Sequence, residues 1–272
     1  MTADERSIVP ALDRGLDVLE CMAGSTASLS LTEIARAVGR TVSEVQRTVA
    51  QLATRAYLVR DTRGGYRLSS KLFRLATAYP PFRDLVSRAL APMQAFADET
   101  KESVHLGVLS DDQLLIIAQV EGQGIVRLSL QLGSTQEALT TVSGRILLSG
   151  LSAEELAAFG ARRGLSRTGR KRLAESAAKI HARGYEYAES GRVHGVEDVG
   201  VPVLLPGPSL IAALTTSFLP LRNAKPAPLP LISALRRAAG QIASSYEPAI
   251  VAKSAAERPR TRKAKSHAAF AR

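Results

Sequence analysis

The sequence predicts an α+β (α/β) protein built as an N-terminal winged helix-turn-helix followed by a larger sheet domain. Three observations predict it. Residues 30–52, SLTEIARAVGRTVSEVQRTVAQL, hold two short amphipathic helices joined at a glycine. Residues 57–69 read as two short strands around a bend rich in Gly and Arg. From residue 84 onward, strand-like runs come in groups with helical runs between them, the pattern of an α+β layer domain.

A first helix fits Ala11–Met22 and carries the single cysteine, Cys21, for which packing is the expected role. In the next two helices, Leu31, Ile34, Ala35 and Val38 recur at helical spacing, as do Val42, Val45, Val49 and Leu52. Each set forms one apolar face, and the two faces can meet over a turn at Gly39. Ser30 with Glu33, and Thr41 with Glu44, are capping boxes: the hydroxyl accepts from an early orphan amide, and the glutamate reaches back to the cap's own N–H. Two capped starts so close together indicate a helix-turn-helix and not one long helix.

With its apolar face committed to the core, the second helix leaves Ser43, Gln46, Arg47, Ala50 and Gln51 outward. Gln46 and Arg47 suit base edges because both can bond in bidentate fashion. Thr41 and Ser43 lie at the helix start, where hydroxyls and free amides can hold phosphate, whereas Glu44 spends its charge on the cap and would repel phosphate. Glu44 could instead accept from a cytosine amino group.

The following hairpin, Tyr57–Asp61 and Gly65–Ser69 around Thr62-Arg63-Gly64, brings Arg60, Arg63 and Arg67 to the flank expected of a wing. From Val42 to Arg74 there are seven Lys/Arg against Glu44 and Asp61, a net +5 that favours phosphate contact over a merely solvated hairpin.

The 272 residues suffice for two cores, and 45% hydrophobic content excludes wholesale disorder. The net charge of +11 favours a polyanionic partner, but the final 20 residues supply +6 of it, with no apolar period. That end reads as a disordered basic tail. One cysteine permits no internal disulfide, no signal peptide is evident, and no run approaches the ~20 apolar residues of a membrane span. A cytoplasmic protein without membrane attachment is expected.

In the second part, Ser69–Ala78 reads as a helical linker ended by Pro80-Pro81, and Asp84–Thr100 as a long helix. Strands are expected at Val104–Leu109, Gln113–Glu121 and Ile125–Leu130. A helix follows from Thr141 or Val142 to Gly150, another capped by Ser152 and Glu155 to about Arg162, and a third over Arg170–Arg183. Two long apolar strands, Val199–Leu205 and Leu210–Phe218, flank a turn at Pro206-Gly207-Pro208, and a last helix covers Leu229–Tyr246. Helices are expected on one face of the sheet.

Signs of catalysis are sparse. There is no GxSxG elbow, and Gly122-x-Gly124 lacks the third glycine and the helix of a dinucleotide site. His105, His181, His194 and His267 show no paired metal-ligand spacing, so surface or structural roles are expected for all four. No metal, cofactor or catalytic residue is expected. The alternative class is an enzyme with a basic accessory domain, its chemistry near Ser143 and Asp198, with His194 as third member of a triad.

The segments ALDRGLDVLECM, LTEIARAVGRTVSEVQRTVAQL, GGYRLSSKLFRLA, SVHLGVL, TTVSGRILLSGL, HARGYEYAESGRVHGVEDVGVPV and IAALTTSF occur in an order that resembles the IclR family of bacterial transcriptional regulators, from about Ile8 to Leu219. The resemblance implies a C-terminal domain related to GAF and profilin-like sensor folds. It implies a homodimer or dimer of dimers on a palindromic double-stranded operator, and a small effector, often an organic or aromatic acid. Carried to matching positions, the effector residues are Val142, Ser143, Glu189, Asp198, Thr215 and Ser217. Thr215 and Ser217 have the parity to share one face of a strand.

The implied organisation is an arm at 1–7, a winged helix at 8–69, a linker helix at 70–82, an effector-binding and oligomerisation domain at 83–250, and the tail at 251–272.

The chain also departs from the family. Asp198 stands where some relatives have cysteine, and would repel an anion unless paired or bridged. Val42 and Glu44 replace small polar residues, and Ala56 replaces a glycine. Since alanine is strained in a left-handed turn, a locally different turn is expected there.

Overall fold

The computed structural model describes residues 9–78, 80–205, 211–220 and 229–246, in two compact units, Met1–Arg83 and Asp84–Arg272. The arm at 1–7, the Pro206-Gly207-Pro208 turn and the tail at 251–272 lie outside the described residues.

The first unit contains α1 (Pro10–Ala23), α2 (Leu31–Ala37), α3 (Val42–Thr54), β1 (Leu58–Arg60), β2 (Tyr66–Leu68) and α4 (Lys71–Ala78). Both expected capping boxes form, Ser30 with Glu33 and Thr41 with Glu44. Val18, Met22, Ile34, Ala35, Val45, Val49 and Leu58 close one core among α1, α2, α3 and β1. Val42 does not join it. It opens α3 ahead of the stretch that meets α1 and α2, and stands 40% exposed. β1 and β2 pair antiparallel, Leu58 opposite Leu68 and Arg60 opposite Tyr66. Leu29 adds a third, one-residue rung by exchanging two 2.8 Å backbone hydrogen bonds with Tyr66, which fastens the hairpin to the segment before α2.

The turn after α3 is not altered to suit Ala56. Ala56 adopts φ 57° and closes the same hydrogen-bonded cap that Gly39 (φ 65°) closes after α2 and Gly164 (φ 65°) closes later in the chain. Its N–H donates to Ala53 O (2.9 Å), and the next amide, Tyr57 N, donates to Leu52 O (2.8 Å). The two bonds and a Ser69 hydroxyl on Ala56 O hold the residue where a side chain is disfavoured.

The second unit has a six-stranded antiparallel sheet in the order β5-β4-β3-β8-β7-β6. Its strands are β3 (Val104–Ser110), β4 (Gln113–Val120), β5 (Thr135–Glu137), β6 (Glu186–Glu189), β7 (Glu197–Leu204) and β8 (Ile211–Phe218); its helices are α5 (Pro80–Thr100), α6 (Val142–Ser149), α7 (Ala153–Arg162), α8 (Arg167–Arg183) and α9 (Leu229–Ser244). α5 starts at Pro80, before the expected Asp84, because proline is tolerated in a helix's first turn.

The expected strand Ile125–Leu130 is absent: the segment runs as irregular backbone with Ile125 fully exposed, and β5 takes the place beside β4.

Helices cover both faces of the sheet, and the one-face expectation is corrected. On one face α6 packs against β3, β7 and β8, with Ile146 and Ala213 in a shared cluster. On the other face Val199, Val201 and Val203 of β7 are buried, and α9 packs on β7. A two-pronged Arg237–Glu99 ion pair ties α9 to α5. α6 lies close to the sheet edge because Gly144 has no side chain: a Cβ there would sit 2.2 Å from Ala138 O.

Candidate functional site

On the first unit, α3 presents the face expected of it. Ser43, Gln46, Arg47, Ala50 and Gln51 are all exposed. Gln46, Arg47 and Gln51 make no side-chain hydrogen bond or ion pair among the described residues, so their polar ends are available.

Thr41 and Glu44 are occupied with each other. Glu44 Oε2 accepts from Thr41 N (2.8 Å) and Thr41 Oγ1 (2.7 Å), which holds the carboxyl below its usual pKa. Thr41 Oγ1 also lies 3.2 Å from Ser43 Oγ. The N-terminal end of the face is therefore a capping network that keeps a negative charge.

The three wing arginines differ. Arg60 shares its hairpin face with Tyr66, lies over that ring at 5.7 Å and donates from Nε to Gly64 O at 3.3 Å. Arg67, opposite Val59, points to the other face of the hairpin. Arg63 sits in the bend, where Asp61 Oδ1 accepts from the N–H groups of Arg63 and Gly65 and fixes the loop.

On the second unit, a cavity of about 440 Å³ opens between the start of α6, the sheet and the segments 128–136 and 190–196. Five of the six expected effector residues line it: Val142, Ser143, Asp198, Thr215 and Ser217. The register explains the grouping. Asp198 pairs with Ser217, and Thr215 pairs with both Gly200 and His105, so these side chains share the face beneath α6.

Glu189 does not line the cavity. It lies at the exposed end of β6, where its carboxylate meets His194 Nδ1 at 3.1 Å. That pairing also dissolves the Ser143–His194–Asp198 triad, since His194 is fully exposed and turned to Glu189.

The interior of the cavity is a hydrogen-bonded chain. Ser143 Oγ donates to Thr215 Oγ1 (2.9 Å) and lies 3.0 Å from His105 Nε2. All three residues are buried. Burial pushes the His105 imidazole down to about 4, so the ring is neutral at physiological pH. No carboxylate pairs with it among the described residues.

His105, for which a surface or hydrogen-bonded structural role is expected, is buried and hydrogen-bonded, and it also lines the cavity. Gln136 and Leu130, outside every motif, line it too, as do Arg192 and Val193, which lie in the segment 181–203 but carry no expected role. Gln136 is 8% exposed, and its Nε2 has no hydrogen-bond partner among the described residues. Thr141 caps α6 through Gly144 N (3.1 Å), and Arg145 leaves the cavity to pair with Glu186 (3.2 Å).

The family "Bacterial transcriptional regulator IclR C-terminal" matches residues 78–244, and "IclR helix-turn-helix domain" matches residues 11–62. The chain belongs to the IclR family. The regulator BhcR of Paracoccus denitrificans is 28% identical over 208 residues, 74% of either chain. The repressor IclR of Escherichia coli is 26% identical over 204 residues, 72% of this chain and 74% of its own.

Among solved structures, an IclR homolog of Microbacterium hydrocarbonoxydans complexed with 4-hydroxybenzoate superposes with TM-score 0.73 at 23% identity, over 88% of this chain and 99% of that one. The IclR of Thermotoga maritima gives TM-score 0.66 at 20% identity, over 86% and 97%. An IclR-type transcriptional regulator thus combines a helix-turn-helix DNA-binding domain with a C-terminal ligand-binding domain. No helix among the described residues is long and apolar enough to cross a membrane.

Proposed function

We propose that this IclR-type regulator reads a palindromic operator as a homodimer or dimer of dimers, and that a small organic or aromatic acid in the 440 Å³ cavity controls it. The observation that carries the DNA half is the exposed, unpartnered row Gln46, Arg47 and Gln51 on a capped helix beside a basic hairpin. Arg47 and Gln46, with Ser43, read base edges in the major groove. Arg63 and Arg67 hold phosphates, Arg60 braces the wing through Tyr66 and Gly64 O, and Thr41 with Glu44 fixes where α3 begins.

For the effector half, the cavity is of ligand size and converges polar groups from α6, β3, β7 and β8. The 4-hydroxybenzoate held by the Microbacterium homolog supports an aromatic acid of that size. Val142, Ser143, Asp198, Thr215 and Ser217 form the proposed contacts, and Glu189 contributes none. Binding acts by stabilising one subunit arrangement over another, and only by as much as its affinity differs between them. In this reading the protein is cytoplasmic and catalyses nothing.

The test is selection of duplexes from a random pool at physiological salt. Enrichment of a palindrome, with affinity altered by an acid that also raises Tm, is the expected result. No enrichment over random DNA would overturn the operator reading.

A further inference from the structure

The cavity carries one buried donor without an acceptor among the described residues and one carboxylate without a counter-charge. Asp198 is 9% exposed and lines it. Its Oδ1 accepts from Ser217 Oγ at 2.6 Å, while Oδ2 makes no hydrogen bond among the described residues. Gln136, 8% exposed, lines the same cavity with an Nε2 donor that nothing among the described residues accepts from. Buried polar groups are satisfied in folded proteins, and an unmatched one points to a partner that completes it.

The charge balance narrows the partner. The cavity's single cation among the described residues, Arg192, is exposed at the rim and forms no ion pair there with Asp198. His105 is buried beside Ser143 and Thr215, away from any carboxylate contact. A carboxylate on the cavity wall, with one hydroxyl donor and no counter-charge among the described residues, repels a simple acid. A ligand hydroxyl would supply a donor to Oδ2 but leave the charge uncompensated, whereas a protonated amine supplies both. Elsewhere on the lining, Gln136 Nε2 and the first amides of α6, at Val142 and Ser143, offer donors suited to a carboxylate.

We infer that the effector is a small carboxylic acid that also bears a protonated amine, its ammonium on Asp198 and its carboxylate toward Gln136 and the start of α6. The inference rests on the proposed sensing role of this cavity and specifies the chemistry it selects.

The experiment is isothermal titration of the full chain with matched pairs of acids that differ by the amine. These are L-phenylalanine with 3-phenylpropanoate, 6-aminohexanoate with hexanoate, and 4-(aminomethyl)benzoate with 4-methylbenzoate. At least one aminated member should bind about tenfold tighter than its counterpart, and Asp198→Asn should bring that ratio to within about twofold. Asparagine keeps an acceptor for Ser217, so the variant's Tm reports whether the fold is intact. Gln136→Leu should weaken both members of the pair alike and preserve the ratio.

Amine-free acids binding as tightly as their partners, or a preference that survives Asp198→Asn, would overturn the inference and leave the sensing role standing. If no pair binds, or if binding survives unchanged in Ser143→Phe, which fills the cavity, the sensing role falls and takes this inference with it.

Discussion

Ala56 holds φ 57° at the end of α3, in a cap that glycine closes elsewhere among the described residues, at Gly39 and Gly164. A left-handed alanine costs ~1–2 kcal/mol. Glycine's greater freedom in the unfolded chain offsets part of that gain. Ala56→Gly should therefore stabilise the first unit by ~1 kcal/mol, read as a higher urea midpoint with unchanged slope. A loss of stability would mean the strain is absent.

His105 is the second residue whose environment predicts a measurement. Its imidazole titrates at about 4 in the fold against an ordinary 6.5, because burial disfavours the charged ring. The unfolded chain thus binds the proton first as pH falls, and stability drops from pH 6.5 down to about 4. The full loss is on the order of 3 kcal/mol. His105→Gln should flatten that part of the second unit's stability profile, whatever its effect at neutral pH. An unchanged slope would assign the pH response to other groups.

At the scale of elements, three capping boxes share one geometry: Ser30 with Glu33, Thr41 with Glu44, and Ser152 with Glu155. In each, hydrogen bonds from the capping residue hold the glutamate's pKa below 4.5. Their contribution is complete above pH 4.5 and is lost as pH falls through the lowered folded values. Ser30→Ala, which leaves α3 untouched, should destabilise the first unit by ~1 kcal/mol near neutral pH. In guanidinium titrations that difference should shrink once Glu33 is protonated.

These helices were legible in the sequence because period and cap agree in them. β5 and β6 were not. β5 is three polar residues, Thr135–Glu137, placed by pairing with β4 and not by any apolar alternation. β6 begins with Glu186, a residue that argues against a buried strand; Arg145 and Arg183 neutralise it. Conversely, Ile125–Leu130 has the composition of a strand but no neighbour, since β5 occupies the edge.

The cavity shows the same division. Asp198, Thr215 and Ser217 follow from strand parity and the family resemblance. His105 and Gln136 arrive by cross-strand register, through pairings with Thr215 and Leu114 that no local pattern announces.

Across the whole molecule, a DNA-reading unit is joined to a ligand-binding one, and in the proposed function α3 reads sequence and does not merely attract charge. Net charge alone would also bind DNA, since a basic hairpin neutralises phosphates in any sequence. Arg47 separates the two possibilities. It is exposed, makes no side-chain hydrogen bond or ion pair among the described residues, and lies one turn from Gln51 on the outer face of α3. The decisive measurement is fluorescence anisotropy at physiological salt on a selected palindromic duplex and a scrambled one, for the parent chain and Arg47→Ala. Arg47→Ala should cost ~1–3 kcal/mol on the palindrome, far less on the scrambled duplex, and relax preference at one base position in each half-site. Equal losses on both duplexes, with base preference unchanged, would contradict sequence reading by α3.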